Sequence, residues 1–174
     1  MERKEFIKSV LGLAAMTTLG DFKLFADNLQ EQDETMPVLF IGHGSPMNAI
    51  EDNEFTKGWK AIAKTIPKPK AILCISAHWE TNGTFVTNME KPKTIHDFGG
   101  FPQALFDVQY TALGSKWLAD ETKKIITSTT VGLNEDWGLD HGTWSVVRPM
   151  FPDASIPVIQ LSLDYTKDTQ YHYD

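Results

Sequence analysis

The sequence predicts an α/β domain whose central sheet is largely parallel, with mixed strand directions, and is flanked by helices. Two observations lead to this class. Short apolar runs bounded by glycine or proline are typical of strands buried on both faces. The segments between them carry apolar residues at helical spacing. Because the two kinds of segment alternate along much of the chain, their order is that of parallel βαβ units.

The first predicted βαβ unit lies at the start of the folded region. Residues 37–41 and 71–76 are the two predicted strands. Between them Phe55, Trp59 and Ile62 recur at helical spacing, and a proline-rich segment ends the helix. The crossover is expected to be right-handed, with parallel strands. Further predicted elements are strands at 84–87, 129–133 and 156–163, and a helix at 115–126 with Trp117, Leu118, Ile125 and Ile126 towards the core.

Length and composition restrict the classes of function. A chain of 174 residues with 41% hydrophobic and 22% charged residues is long enough for one globular domain. A net charge of −7 argues against a nucleic-acid partner, which would need a basic face. Cys74 is the single cysteine, which excludes an intrachain disulfide and a multi-cysteine zinc site. It lies in an apolar run and is predicted to be a small buried hydrophobe, with a catalytic nucleophile as the alternative.

Residues 1–35 are predicted to be an export signal followed by a linker, and residues 36–174 the folded domain. A charged start, then a short apolar run at 10–16, is typical of an export signal. The run is too short for a stable membrane span, which takes about 20 apolar residues. The pattern resembles a twin-arginine signal, although Lys4 replaces the second arginine. A periplasmic or exported protein is therefore expected. The alternative is a cytoplasmic protein with an amphipathic N-terminal helix.

Two of the predicted strands lead into histidines. His43 lies in a Gly-His-Gly sequence after the first strand, and His78 follows the second. Because ligands bind beyond the carboxyl ends of strands in open α/β sheets, both imidazoles are expected at one edge, where they can share a metal ion. His141, with a glycine directly after it, is a third candidate. A serine hydrolase is disfavoured because Pro46 interrupts the Gly-x-Ser-x-Gly pattern.

Four longer motifs surround these histidines. They are Leu-Phe-Ile-Gly-His-Gly-Ser-Pro-Met-Asn at 39–48, Ser-Ala-His-Trp at 76–79, Thr-Ile-His-Asp-Phe-Gly-Gly-Phe-Pro at 94–102 and Trp-Gly-Leu-Asp-His-Gly-Thr-Trp at 137–144. In order and spacing they resemble the class III extradiol ring-cleaving dioxygenases, and most closely the 4,5-DOPA dioxygenase-like subgroup. The resemblance covers residues 36–174.

The resemblance implies a site and a reaction. His43 and His78 would be ligands of Fe(II), or of zinc in the same site, and His141 the acid/base or substrate-binding histidine. His96 and Phe101 would line the substrate pocket. The substrates would be a small-molecule catechol and O₂. The chemistry is consistent, because neutral imidazoles suit a non-haem Fe(II) centre and can accept the protons that a catechol releases on binding.

The sequence departs from the family pattern at its C-terminal end. By the resemblance, family chains continue through a Gly-Asn-x-x-His segment and a late histidine, so the domain is expected to be C-terminally incomplete. We therefore expect the 174-residue chain to lack activity. His172 precedes those motifs and is predicted to be a surface residue, not a ligand. The alternatives are a non-catalytic zinc-binding remnant of the same fold and a metal-dependent hydrolase.

Overall fold

The computed structural model describes residues 35–173. Of the two compact units into which the chain divides, Met1–Thr35 and Met36–Asp174, the second contains every helix and strand of the described residues. The predicted export signal lies outside the described residues. Among the helices that are described, none has the length and apolar character needed to cross a lipid bilayer.

The centre of the domain is a mixed four-stranded sheet. Its strands are β1 (Ile72–Thr81), β2 (Thr84–Thr87), β3 (Val131–Asn134) and β4 (Val158–Asp164), in the spatial order β1-β4-β2-β3. The pairs β1/β4 and β2/β3 are parallel, while β2 and β4 are antiparallel. The predicted α/β class with a mixed sheet is thus confirmed.

Five helices and one 3₁₀ turn accompany the sheet in the described residues. The 3₁₀ turn is Pro46–Ala49, and the helices are α1 (Glu54–Thr65), α2 (Gln103–Phe106), α3 (Lys116–Ile125), α4 (His141–Met150) and α5 (Thr169–Tyr173). Side-chain caps fix several of their starts. Asn53 and Thr56 form a reciprocal capping box on α1, Ser115 caps α3, and Asp140 caps α4.

Two apolar clusters form the core. The larger one is centred on Trp144 of α4, with Leu105, Tyr110 and Leu139 packed around it. The smaller one joins Ile159 of β4 to β2, β3 and α3. Because Trp144 is fully buried one turn after His141, packing of the larger cluster fixes where α4 begins.

The predicted first strand at 37–41 is wrong. None of these residues belongs to a strand, and Val38 and Phe40 are almost fully exposed. The expected βαβ unit is therefore not formed, and His43 sits in a loop. The second strand, β1, is longer than predicted and carries His78 within it. It is also not buried on both faces, since Ile75 retains 60% exposure.

The predicted helix at 115–126 is confirmed as α3, but the assignment of its buried face was partly wrong. Trp117 and Ile125 are exposed, while Ala119 and Thr122 are buried. Leu118 and Ile126 do pack against the smaller cluster. The fully buried positions of α3 are thus held by small residues, where the helix contacts β2 and β3.

Candidate metal centre

Three histidines from separate segments converge at one end of the sheet. Nε2 of His43 lies 2.9 Å from Nε2 of His78. The ring of His141 lies 3.9 Å from that of His78 and 5.1 Å from that of His43, measured between centroids. One ring nitrogen from each of the three lies within 4.8 Å of the others. Within the described residues this is the one such group of histidine, cysteine or acidic side chains that could hold a metal ion.

A braced loop presents His43. Asn48 is buried and donates to the backbone carbonyl of His43 at 3.0 Å, and Asn53 donates to Asn48 at 2.7 Å. Arg148 of α4 donates to the carbonyl of Ala49. Because side chains supply hydrogen bonds that a strand would otherwise make, the loop has a fixed position without belonging to the sheet.

His78 lies in β1 opposite the start of α4. Its backbone N–H donates to Ser76 Oγ at 3.2 Å, and Ser76 Oγ in turn donates to Asp140 at 2.8 Å. The close approach needs glycine at position 142, where a Cβ would lie 2.5 Å from His78 Cδ2 and 2.7 Å from Ser76 Oγ. The glycine after His141 therefore lets α4 approach β1 closely.

His141 begins α4, and the residue before it anchors that helix end. Asp140 is fully buried and its carboxylate accepts hydrogen bonds from Ser76, the backbone of Thr143, Gln160 and Trp137. Gln160 of β4 also accepts from the backbone N–H of Asp140 at 2.9 Å. A buried carboxylate is stable only when its oxygens are hydrogen-bonded. Because the partners of Asp140 include Ser76 of β1 and Gln160 of β4, these bonds fix the start of α4 to both strands.

Burial and neighbouring charge govern the protonation of the cluster. Burial, together with repulsion from protonated His141 and His78, lowers the pKa of His43 below its usual 6.5. His43 is therefore neutral at neutral pH, as a metal ligand must be. Burial alone would raise the pKa of the Asp97 carboxyl, but the close contact with the ring of His141 and the hydrogen bond from the backbone of His141 outweigh this effect and lower it.

An aromatic wall adjoins His141. The ring of Phe98 meets His141 edge-on at 5.5 Å between centroids and also contacts His96 at 5.7 Å. Phe101 packs on the other side of Phe98 at 5.4 Å. The ring of Phe98 therefore lies between the three histidines and the side chains of His96 and Phe101. A ring nitrogen of His96 lies 3.0 Å from the carbonyl oxygen of Val108. Their assignment to the pocket lining stays a prediction.

Sequence reasoning did not single out Asp97 or Phe98. Both belong to the motif at 94–102, and both contact His141 directly. Asp97 is the one charged residue between His96 and Pro102, and that isolation in an aromatic and glycine-rich loop was the available signal.

Two other titratable residues lie apart from the cluster. Cys74 is shielded in β1, and burial raises the pKa of its thiol to about 11, so the nucleophilic thiolate is not favoured. The hydroxyl of Thr143 bonds its sulfur at 3.2 Å. His172 lies in α5, where a ring nitrogen is 3.1 Å from the carbonyl oxygen of Asp164. It does not join the three-histidine group.

The residues fit a divalent metal. Imidazole nitrogens bind iron and zinc at about 2.1 Å, so two nitrogens 2.9 Å apart can share one ion. Nδ1 of His43 is buried and has no hydrogen-bond partner among the described residues. Such a concentration of poorly solvated imidazoles is costly unless an ion or a proton links them.

Comparison with known proteins gives the family. Residues 37–174 match the family model of the catalytic LigB subunit of aromatic ring-opening dioxygenase. The chain belongs to the LigB family. The resemblance of its four motifs is thereby confirmed, and the three histidines lie in three of them.

Relatives and a solved structure agree with this LigB membership. The chain is 52% identical to a 4,5-DOPA dioxygenase extradiol of Escherichia coli K12 over 140 residues, covering 80% of the chain and 52% of that protein. It is 40% identical to a 4,5-DOPA dioxygenase extradiol of Beta vulgaris, covering 82% of the chain and 55% of the relative. The crystal structure of an uncharacterised Escherichia coli K12 protein matches with a TM-score of 0.65 and 44% identity, covering 80% of the chain and 52% of that structure. The chain thus spans about half the length of these relatives.

Proposed function

We propose that the three-histidine site serves extradiol cleavage of a catechol ring by O₂ at a non-haem metal, with iron as the metal. The observation that carries the proposal is the convergence of His43, His78 and His141 within 4.8 Å, in a chain of the LigB family. The relatives named 4,5-DOPA dioxygenase support a DOPA-like catechol as the substrate class.

Each histidine has a proposed role. His43 and His78 would hold the metal, whose contribution when bound is to bring the catechol oxygens and O₂ side by side. His141 would accept a proton from a catechol hydroxyl, since a neutral imidazole is the usual base near neutral pH. Asp97, 2.9 Å from Nδ1 of His141, would stabilise the imidazolium that results.

The aromatic wall supports a planar substrate. Phe98 presents a half-buried ring beside His141, and Phe101 and Phe106 back it at 5.4 and 5.0 Å. A catechol ring placed against Phe98 would keep its hydroxyls towards the histidines and its carbon skeleton on an apolar surface.

Metal loading of three matched variants tests the ligand roles. We expect His43→Ala and His78→Ala to lose bound iron under anaerobic conditions, measured by metal analysis after gel filtration. His141→Ala is expected to keep nearly intact metal content. Loss of metal in His141→Ala would make that residue a third ligand. Equal metal loading in all three variants would contradict the assignment.

Catechol binding tests the substrate class separately from turnover. The Fe(II)-loaded chain is titrated without air with 4-nitrocatechol, whose absorbance changes on deprotonation, and with 4-nitrophenol as the control lacking the second hydroxyl. We expect a shift for the catechol that His43→Ala abolishes. Air is then admitted and O₂ uptake recorded. A yellow ring-opened product would support ring cleavage and contradict the expected inactivity of this chain, whereas ester hydrolysis without O₂ would favour a metallohydrolase.

A further inference from the structure

Among the described residues, Asp97 is the one carboxylate that forms close contacts with the rings of two histidines of the cluster. Its Oδ1 lies 2.9 Å from Nδ1 of His141 and accepts the backbone N–H of the same residue at 2.9 Å. Its Oδ2 lies 3.7 Å from Nδ1 of His78. The contact with Nδ1 of His141 deviates from the line of a regular hydrogen bond, so it is a close polar contact at hydrogen-bond distance.

Partial burial makes this contact effective. The Asp97 residue as a whole is exposed through its backbone, but its side chain retains 21% exposure and that of His141 only 7%. The side-chain figure is the relevant one, because the carboxylate makes the contact. A carboxylate shielded from water in this way interacts more strongly with a neighbouring N–H group than a surface carboxylate does.

The loop that carries Asp97 is fixed to the segment that carries His141. Ile95 N–H donates to the carbonyl of Leu139 at 2.7 Å, and Leu139 N–H donates to the carbonyl of Lys93 at 2.8 Å. Trp144 adds a bond from its indole to the carbonyl of Ile95 at 2.8 Å. The carboxylate therefore keeps its place relative to α4 whatever occupies the site.

The other nearby carboxylate cannot fill this role. Both oxygens of Asp140 are occupied by Ser76, Thr143, Gln160 and Trp137. Asp97 is also outside the group of residues whose ligand atoms lie together. Its position is therefore that of an outer carboxylate, which holds a histidine by one ring nitrogen while the other faces the centre.

We propose that Asp97 is a positioning residue that keeps the proton of His141 on Nδ1 and thereby directs the lone pair of Nε2 into the three-histidine site. The weaker contact with Nδ1 of His78 orients that ring in the same sense. The inference rests on the proposed function only in that His43 and His78 hold a metal beside His141. It does not depend on ring cleavage.

The first test reads the tautomer in the metal-free chain at fixed pH. Long-range ¹H–¹⁵N spectra of ¹⁵N-histidine-labelled protein distinguish a protonated Nδ1 from a protonated Nε2, with the His141 signals assigned from His141→Gln. We expect His141 to be protonated on Nδ1 in the wild type and in the control variant Asp107→Asn. The carboxylate of Asp107 lies outside the cluster and accepts a hydrogen bond from the Gln103 side chain. Asp97→Asn, which is isosteric, and Asp97→Ala should both lose that preference. An unchanged tautomer in both would overturn the proposal.

The second test measures metal affinity with Co(II), by competition with a chromophoric chelator and by its visible spectrum. Because Asp97 also reaches Nδ1 of the proposed ligand His78, we expect both Asp97 variants to bind about 10- to 100-fold more weakly, the usual effect of losing the outer partner of a ligand. Asp107→Asn should bind like wild type. The band shape of bound Co(II) should persist, since the ligands are the same. Unchanged affinity, or a band shape altered as by the loss of a ligand, would overturn the positioning role. If ring cleavage fails while these results hold, only the proposed reaction is contradicted.

Discussion

Position 142 shows how one residue sets the geometry of the site. Gly142 lies where α4 approaches β1, and a side chain there would overlap His78 and Ser76. Neither neighbour can move freely, because Ser76 is bonded to Asp140 and the backbone of His78 is bonded to Ser76. The absence of a side chain is thus part of the arrangement of the three histidines.

Gly142→Ala should therefore damage both stability and metal binding. We expect a loss of about 1–3 kcal/mol in the free energy of unfolding, the usual cost of overpacking, measured by urea denaturation. Co(II) binding should weaken as His78 is displaced. Gly99→Ala is the matched control, since a Cβ there meets nothing within 4 Å. Equal behaviour of the two variants would contradict the close-packing role.

The lowered pKa of His43 makes stability depend on pH. Because the folded protein holds this imidazole neutral, the unfolded chain binds a proton more readily, and its usual pKa is 6.5. The corresponding stability is complete above that pH and is lost as the pH falls from 6.5 towards the lowered folded value. In chelator, urea midpoints at pH 7.5 and 5.5 should differ more for wild type than for His43→Gln. An identical decline in both would contradict the shift.

At the scale of elements, helices α1 and α3 and the four strands of the sheet were predictable, whereas the absence of a strand at 37–41 was not. Its apolar run has the composition of a buried strand, but no described strand pairs with it and Phe40 is exposed. The composition of a segment indicates only that it can form a strand. Whether it does so also depends on a neighbouring strand with which its backbone can form hydrogen bonds. His43 and His78 still converge without this strand, because hydrogen bonds from Asn48 and Arg148 hold the loop that carries His43.

Helix α4 was missed for a related reason. It holds one of the three histidines, but its sequence combines Gly142, two β-branched valines and Pro149, none of which favours a helix. The cap at Asp140 and the burial of Trp144 and Val147 outweigh these weak preferences. Asp97 was missed because its contact with His141 joins residues 44 positions apart, which no local pattern reveals.

Helix α1 offers a test of local preference away from the site. Gly58 lies within it, and a Cβ there would meet nothing within 4 Å. Gly58→Ala should raise the free energy of unfolding by about 0.5–1 kcal/mol, because alanine loses less backbone entropy on helix formation. The measurement is urea denaturation, with Co(II) affinity as a control that should not change. A destabilised variant would show that α1 is packed more tightly than described.

At the scale of the whole domain, burial is uneven across the sheet. Strand β4 is paired on both sides and its Val158 and Ile159 are fully buried. In the described part of the chain, β1 pairs with β4 alone, and it exposes Leu73 and Ile75. The histidines lie where β1 meets α4. The site therefore has the buried strand β4 on one side and the partly exposed strand β1 on the other. The network from Ser76 through Asp140 to Gln160 crosses from β1 to β4 and supplies the rigidity that packing gives elsewhere.

This unevenness predicts that the same substitution costs different amounts of stability in two neighbouring strands. Ile159→Ala should cost about 2–5 kcal/mol, since it leaves a cavity in the smaller cluster. Ile75→Ala should cost less than about 1 kcal/mol, because the side chain is already 60% exposed. Urea unfolding at two protein concentrations measures both. A cost for Ile75→Ala that approaches that of Ile159→Ala, or that grows with concentration, would mean that in solution a further segment or a second copy covers the exposed face of β1.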